Sequence, residues 1–509
     1  MKQQIGIIDM GSNSIRFVVY EVNEDGCIKE IQNLKVVARL SSYIDAKGSM
    51  VDDGIDVILH TLERFSTISN QYDLTTQRCV ATAAIRNATN QQAILSAINQ
   101  SSDFLIDVLS DEEEAYYGYL AVTNSTNIKD GMTIDIGGGS TEITYYENRK
   151  LIHSHSFPFG AITLKKFIEG DTPTDTEQAQ LLAFLHKHYN TLSWIKNRRV
   201  PVIGIGGTAR NLALIHQNEL GYPLAGLHQY EMTKQQVAET NNTLKKLPLK
   251  ERQQVDGLSK DRADIIIPAI TAIEALITIA QSNTFIVSNK GLRDGLFSEI
   301  YLKPMGITQY PFVPEESLYQ LSLDYHLNIK DQKRIAILAS YVANELNAHV
   351  HSLIPKKYGK LLQWAARIFY IGASIHPESK SQHTFYLLTN QSIDGLSHKE
   401  RLMLACIASF KSRSQLKHYL NAYHDMLSDE EMKNVELLGA ICKFCYSLNR
   451  TKRDVIHEIK VAIEKEKWLF IMYYENDPYF EKVQAQKNKK HLEKYFKKDI
   501  ELVFKRLNN

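Results

Sequence analysis

Between residues 5 and 22 a short apolar run is interrupted by Gly11-Ser12-Asn13-Ser14 and then resumes with β-branched residues, a pattern that predicts a β-hairpin. The same pattern returns at 132–146, where Thr133-Ile134-Asp135-Ile136 leads into Gly137-Gly138-Gly139-Ser140 and then into Thr141-Glu142-Ile143-Thr144-Tyr145-Tyr146. A third glycine-rich turn, Gly204-Ile205-Gly206-Gly207-Thr208, follows Pro201-Val202-Ile203 and opens into helical spacing over 209–215. Amphipathic periodicity predicts helices over 55–70 and 177–190. This first part therefore reads as α/β with two similar halves. Past Pro304 and Pro311 the strand signals thin, and residues 315–448 show helical spacing with few glycines, as in 334–346. The expected organisation is two α/β lobes, 1–125 and 126–310, followed by a mainly helical module, 311–509.

Composition narrows the class. A chain of 509 residues with 44% apolar and 23% charged residues is an ordinary folded protein with more than one core. Its net charge of +1 excludes the strong overall positive field of a dedicated nucleic-acid binder, so a polyanion would have to be held locally. Charge is nonetheless segregated: residues 450–509 carry 15 Lys and Arg against 10 Asp and Glu. That excess reads either as a solvated face of lysine-rich helices or as a surface that tracks a polyanion. Residues 1–21 lack the uninterrupted apolar core of a signal peptide. The most apolar stretch, 265–280, contains Pro268 and Glu274 and falls short of the roughly 20 residues that a membrane span requires. A cytoplasmic protein without membrane association is expected. Its five cysteines form no disulfide framework. Cys442 and Cys445 have the spacing of a zinc knuckle, but the surrounding 435–448 pattern favours buried thiols on a helix.

Two of the Gly/Ser turns carry the first chemical suggestion. Runs of backbone N–H groups without bulky side chains suit phosphate oxygens, although each turn alone could be a plain hairpin. Asp9 and Asp135 stand just before them, where one or two carboxylates could contact a hydrated Mg²⁺. Ser110-Asp111-Glu112-Glu113 is a capping box that accounts structurally for its acids, leaving Glu114 over. Gly118, four residues on along the same helical face, is expected to leave room for a ligand. Arg86 follows a run of small and apolar residues in an expected strand-to-helix turn, where a guanidinium could fork two phosphate oxygens.

The repeated signature Ile8-Asp9-Met10-Gly11-Ser12-Asn13-Ser14 and Ile134-Asp135-Ile136-Gly137-Gly138-Gly139-Ser140-Thr141-Glu142 resembles the phosphate loops of the superfamily of actin, sugar kinases and heat-shock chaperones. Within it, the chain resembles the exopolyphosphatase/guanosine pentaphosphate phosphohydrolase family. Thr82 to Ala88, Leu109 to Ala115, Phe159 to Leu164, Ile205 to Ala209 and Gly291 to Leu296 match further motifs in the family's order, over about 300 residues. The resemblance implies two ribonuclease H-like (actin-like ATPase) lobes and an HD-like helical module. It implies that Glu114 deprotonates the water attacking a terminal phosphorus, that Arg86 and Glu142 belong to the catalytic centre, and that Gly11, Ser12, Asn13, Ser14, Gly137, Gly138, Gly139, Ser140, Gly206 and Gly207 bind phosphate. Asp9 and Asp135 would contact Mg²⁺, with a monovalent cation as an optional companion.

The substrate so implied is inorganic polyphosphate or guanosine pentaphosphate, which end in the same anhydride, and the expected assembly is a homodimer. A kinase or ATPase of the superfamily and a non-catalytic polyphosphate or alarmone sensor are the competing readings. An HD site depends on an adjacent His-Asp pair, but the equivalent stretch reads Phe369-Tyr370-Ile371-Gly372-Ala373-Ser374-Ile375-His376-Pro377. The module is therefore expected to bind polymer or mediate dimerisation, with Lys356, Lys357, Lys360, Lys487, Lys489, Lys490, Lys497 and Lys498 as candidates for a polyphosphate path. Two departures bear on substrate preference. Ile265-Ile266-Ile267-Pro268 follows Asp264 where the family commonly has a glycine pair, and Tyr116 stands where an arginine is often found.

Overall fold

The computed structural model describes residues 2–464 and 467–507. The chain divides into two compact units: residues 1–222 with 227–313, and residues 223–226 with 314–509.

The first unit contains two sheets. Strands β1 (Gln3–Met10), β2 (Ser14–Val22), β3 (Ile28–Val37), β4 (Leu74–Ala81) and β5 (Ile106–Val108) lie in the order β3-β2-β1-β4-β5. The first three form an antiparallel meander, and β4 and β5 continue from β1 in parallel. Period-2 alternation sends Ile8, Met10, Ile15 and Phe17 to one face, where they pack with Ile58, Leu62, Ile94 and Ile98 of the helices Asp52–Ser69 and Gln91–Ser101. Ile5, Ile7, Val18 and Tyr20 face the other way.

The second sheet repeats the plan. It comprises β6 (Gly131–Ile136), β7 (Thr141–Glu147), β8 (Lys150–Phe157), β9 (Val202–Ile205), β10 (Tyr230–Thr233) and β11 (Thr284–Val287), ordered β10-β11-β9-β6-β7-β8. Again an antiparallel meander, β6 to β8, is continued in parallel by β9 and β11, with β10 added antiparallel at the edge. The helix Ile266–Ala280 is apolar on nearly every side because it is buried in the core of this sheet. Pro268 stands in its first turn, where a missing N–H costs no helical hydrogen bond.

The two sheets share one apolar cluster. Ile203 and Ile205 of the second sheet meet Ile5 and Val18 of the first through Tyr117 and Leu120 of the helix Asp111–Thr123 and Leu296 and Phe297 of the helix Leu292–Leu302. These two helices cross backbone to backbone, since a Cβ on Gly295 would collide with the Tyr117 carbonyl.

The second unit is mainly helical, its core built on helices that include Ile329–His349, Lys356–Arg367, His398–Ala408 and Asp429–Leu448. Cys442 and Cys445 are buried on the last of these, where burial pushes both thiols well above their ordinary range, so they serve as core residues. The lysine-rich C-terminal segment is not simply a set of helices. Strands β12 (Ile456–Glu464), β13 (Lys467–Tyr474) and β14 (Ile500–Arg506) form a sheet in that order, antiparallel and then parallel. Its signal is the alternation of Trp468, Phe470 and Met472 into the core.

Gly295→Ala is expected to lower the stability of the first unit by about 1–3 kcal/mol, the cost of overpacking where two helix backbones touch. Chemical denaturation followed by circular dichroism checks it.

Candidate active site

The two phosphate-sized turns have the same construction. The Gly11 N–H donates to the Ser14 carbonyl at 3.0 Å, and the Gly137 N–H donates to the Ser140 carbonyl at 3.0 Å. The carbonyls of Ser12 and Asn13 accept from the chain at 38–41, while those of Gly137 and Gly138 accept from Ala161 and Ile162. The amides of Ser12, Asn13, Gly138 and Gly139 donate to no group among the described residues. The loops thus turn carbonyls to the protein and keep N–H groups in reserve, as an anion site requires. They also approach one another, because a Cβ on Gly138 would lie 3.5 Å from Ser12 Cβ, whereas Gly139 faces open space.

The third glycine turn joins them. Gly206 has φ +80°, and a Cβ there would strike the Asp135 carboxylate; on Gly207 it would strike the Arg262 guanidinium. The pair is therefore a backbone shelf for an acid and a base, from which the helix Gly206–Glu219 begins. A cavity of about 450 Å³ opens beside the loops, lined by Asn13, Gly137 and Gly138 with Arg39, Lys165 and Arg262. Glu114 and Arg86 are not on its wall.

Asp9 and Asp135 occupy the same penultimate position of β1 and β6, the strands from which the two sheets grow. Burial raises the pKa of each above the ordinary carboxylate value, against the pull of Arg293 and Arg16 on Asp9 and of Arg210 and Arg262 on Asp135, and the charge on Asp9 raises Asp135 further. Arg293 Nη1 donates to Asp9 Oδ2 at 2.9 Å. Cross-strand register then separates the two lobes chemically: Asp9 faces Arg16, but Asp135 faces Glu142.

Glu114 lies in the first turn of the helix Asp111–Thr123. The capping box predicted there is present, Ser110 and Glu113 each accepting from the other's backbone N–H. Arg86, at the end of the short helix that follows β4, directs Nη1 to both Glu114 Oε2 and the Leu109 carbonyl at 2.9 Å and pairs through Nη2 with Asp111. Asp111 therefore does more than cap, since it helps aim the guanidinium. Arg86 Nε is buried and has no hydrogen-bond partner among the described residues. Glu142 is 5% exposed and accepts from Ser156 Oγ at 2.9 Å.

Burial raises the Glu114 carboxyl to about 7, opposed by Arg86 and reinforced by Asp135 and Asp9. Burial, then the charge on Glu114, pushes Glu142 well above the carboxylate range. Burial thus favours the neutral form of Glu142, and at neutral pH Glu114 is poised to exchange a proton.

Sequence reasoning missed the basic half of the site. Arg16, Lys35, Arg210, Arg262 and Arg293 surround the two aspartates closely enough that Arg210 is depressed by burial and by three other arginines, and Lys35 by burial and by Arg16, Arg262 and Arg210. Register held part of this signal: the hairpin puts Arg16 opposite Asp9, and Lys35 lies opposite Arg16 across β2 and β3. Arg210, one turn beyond Gly206, was also within reach of helix geometry. Gly118 needs correction: it leaves no ligand space, because it is buried and a Cβ there would contact Ile205 Cδ1 at 3.4 Å. Its side of the Glu114 helix meets β9. Tyr116 packs on the rings of Tyr117 and Tyr119. Among the described residues no group of three or more His, Cys, Asp or Glu side chains forms a protein-only metal cage, so a cation at Asp9 and Asp135 would take its other ligands from water and phosphate.

The candidate lysines lie in the second unit. Lys356, Lys357 and Lys360 lie on the first two turns of the helix Lys356–Arg367, and Lys487 is on the helix Tyr479–Asn488. Lys490, Lys497 and Lys498 line a broad cavity of about 1080 Å³. Lys489 is spent internally, paired with Glu493 at 2.8 Å and donating to the Ile500 carbonyl, so it is not available to a polymer.

Two sheets of one strand order with facing Gly/Ser loops define an actin-like, phosphate-handling protein whose third part is a helical unit. The chain belongs to the Ppx/GppA phosphatase family, whose model matches residues 18–303, with the family's domain III matching residues 313–494. Residues 8–14, the first loop, precede the matched span. Among solved structures, the Ppx/GppA family member of Aquifex aeolicus is 27% identical with TM-score 0.55, covering 60% of this chain and 99% of its own. A type II variant of that Aquifex aeolicus phosphatase is 28% identical with TM-score 0.51, covering 58% and 98%. An exopolyphosphatase from Cytophaga hutchinsonii, at 23% identity, TM-score 0.53 and coverage of 60% and 100%, shares the fold. Among the described residues no helix is long and apolar enough to cross a membrane.

A carboxyl with a raised folded-state pKa favours its neutral form, so Glu114 withdraws stability as pH rises from its unfolded value of 4.5 to about 7. Glu114→Gln, which resembles the protonated acid, is expected to be nearly neutral at pH 5 and stabilising by about 1–3 kcal/mol at pH 8. Denaturant midpoints at the two pH values check the sign.

Proposed function

We propose that this protein is an exopolyphosphatase that removes orthophosphate processively from the end of inorganic polyphosphate. The observation that carries the reading is the Glu114 carboxyl, buried on Arg86 and raised to about 7 by burial and by Asp135 and Asp9, the aspartates that precede two anion-ready loops. A water near Glu114 gives its proton to that carboxylate as its oxygen bonds to the terminal phosphorus. The bond from that phosphorus to the bridging oxygen breaks, and the shortened chain leaves with the electron pair. Arg86 holds its positive charge against Glu114, and the reserved loop amides can take phosphoryl oxygens. Arg210, Arg262 and Arg293 offset the charge of the chain end. Burial and the neighbouring acids favour the neutral form of Glu142, which limits the negative charge it adds next to the substrate.

Asp9 and Asp135 fit Mg²⁺, which takes one or two carboxylates and completes its shell with water and phosphate oxygens. The ion, when bound, would neutralise phosphate charge.

Orthophosphate release from long-chain polyphosphate, guanosine pentaphosphate and ATP, each with Mg²⁺, tests this reading. Wild type is expected to act fastest on polyphosphate, and Glu114→Gln to lose about 10²- to 10⁴-fold in kcat with little change in KM. Arg262→Gln should mainly raise KM, by about tenfold, through one lost charged hydrogen bond. Equal activity of wild type and Glu114→Gln would remove Glu114 from the chemistry. Preference for guanosine pentaphosphate would replace the substrate, and tight binding without release would make the protein a sensor.

A further inference from the structure

The helical unit holds a cavity of about 290 Å³ lined in part by Tyr370, within the 369–377 stretch that lacks an adjacent His-Asp pair. Tyr370 and Tyr446 are on its wall, and so are Lys380, Lys411, Lys443 and Arg450. Glu378 is the one carboxylate among its described lining residues. None of the four cations makes an ion pair with a carboxylate among the described residues, although lysines elsewhere in this unit do, as in Lys399–Glu431 and Lys452–Asp331.

The arrangement is fixed by packing. Lys380 Nζ lies 4.5 Å from the ring centre of Tyr370 and 4.9 Å from that of Tyr446. Lys443 rises from the buried helix Asp429–Leu448, donates to the Lys411 carbonyl and lies 2.8 Å from His491 Nε2. Burial and the charges of Lys443, Lys490 and Lys494 depress His491 to about 4, so its ring is neutral and Nε2 accepts from the ammonium. Burial, with Lys490, Lys411 and Lys380, depresses Lys443 to about 8. A half-buried ammonium among like charges is unfavourable until an anion joins it.

We propose that this pocket binds a phosphoryl anion, held by Lys380, Lys411, Lys443 and Arg450. A single carboxylate would leave most of the positive charge uncompensated, whereas a phosphoryl group brings two charges and three acceptor oxygens. The cavity has room for about ten waters, at the lower edge of the roughly 300–1,000 Å³ usual for small-molecule sites, so one to three linked phosphoryl groups fit. The ligand could be free orthophosphate, the end of a condensed phosphate or the phosphates of a nucleotide. The inference rests on the helical unit alone and is independent of the reading of Glu114.

The test is site-resolved, because the first unit is also expected to bind phosphate. The full chain is labelled briefly with acetic anhydride at pH 8, and modification of Lys443 is read by mass spectrometry with exposed Lys196 of the first unit as internal reference. Orthophosphate, sodium tripolyphosphate and GTP are compared with NaCl of matched ionic strength. At least one phosphoryl anion is expected to protect Lys443 about fivefold relative to Lys196. The exposed-residue variants Lys411→Gln and Arg450→Gln should each raise the half-protecting concentration about tenfold, as loss of one charged hydrogen bond implies. Protection by orthophosphate assigns the free anion, protection by tripolyphosphate without orthophosphate assigns a chain end, and protection by GTP alone assigns a nucleotide. Equal protection by NaCl, no protection by any of the three, or protection unchanged in both variants would overturn the proposal.

Discussion

The first unit depends on keeping negative charge out of water. Asp9, Asp135, Glu114 and Glu142 are all buried enough to be driven toward their neutral forms, and neighbouring acids raise Asp135, Glu114 and Glu142 further. Arg86 on Glu114 and Arg293 on Asp9 limit that cost by direct hydrogen bonds, while Arg210 and Arg262 act on Asp135 through the field. Much of the fold serves this balance. Gly206 and Gly207 are bare so that Asp135 and Arg262 can lie on their backbone, and Gly295 lets the Glu114 helix touch the helix Leu292–Leu302 backbone to backbone.

Duplication then supplies two different chemistries from one plan. Each sheet grows from a strand ending in an aspartate followed by a Gly/Ser turn, but the cross-strand neighbour is Arg16 in one and Glu142 in the other. One half therefore sets a positive charge across from its aspartate, and the other a second buried carboxyl whose pKa burial raises.

Both turns, both aspartates, the capping box and the isolation of Glu114 could be read from the chain because each is encoded within a few neighbouring residues. The arginine cluster could not be read in the same way. Arg210, Arg262 and Arg293 are far apart in sequence and converge only when Gly206, the approach to the helix Ile266–Ala280 and the helix Leu292–Leu302 are folded together. Gly118 misled because spacing along one helix cannot show which other strand covers its face. The small C-terminal sheet was obscured by lysines on the exposed positions of strands whose alternate residues, Trp468, Phe470 and Met472, are core. In the same unit, the absence of a His-Asp pair over 369–377 was plain in the sequence, but the cations that gather beside Tyr370 come from two helices and two connecting segments spread over residues 380–450.

The claim on which the rest stands is that Glu114 is poised between charge states near neutral pH. A titration of glutamate side-chain carboxyl carbons by ¹³C NMR, with Glu114→Gln to assign the resonance, measures this directly. The account predicts a Glu114 midpoint near 7, moving higher in Arg86→Met as the opposing charge is removed. A midpoint at the ordinary 4.5, indifferent to Arg86, would contradict it.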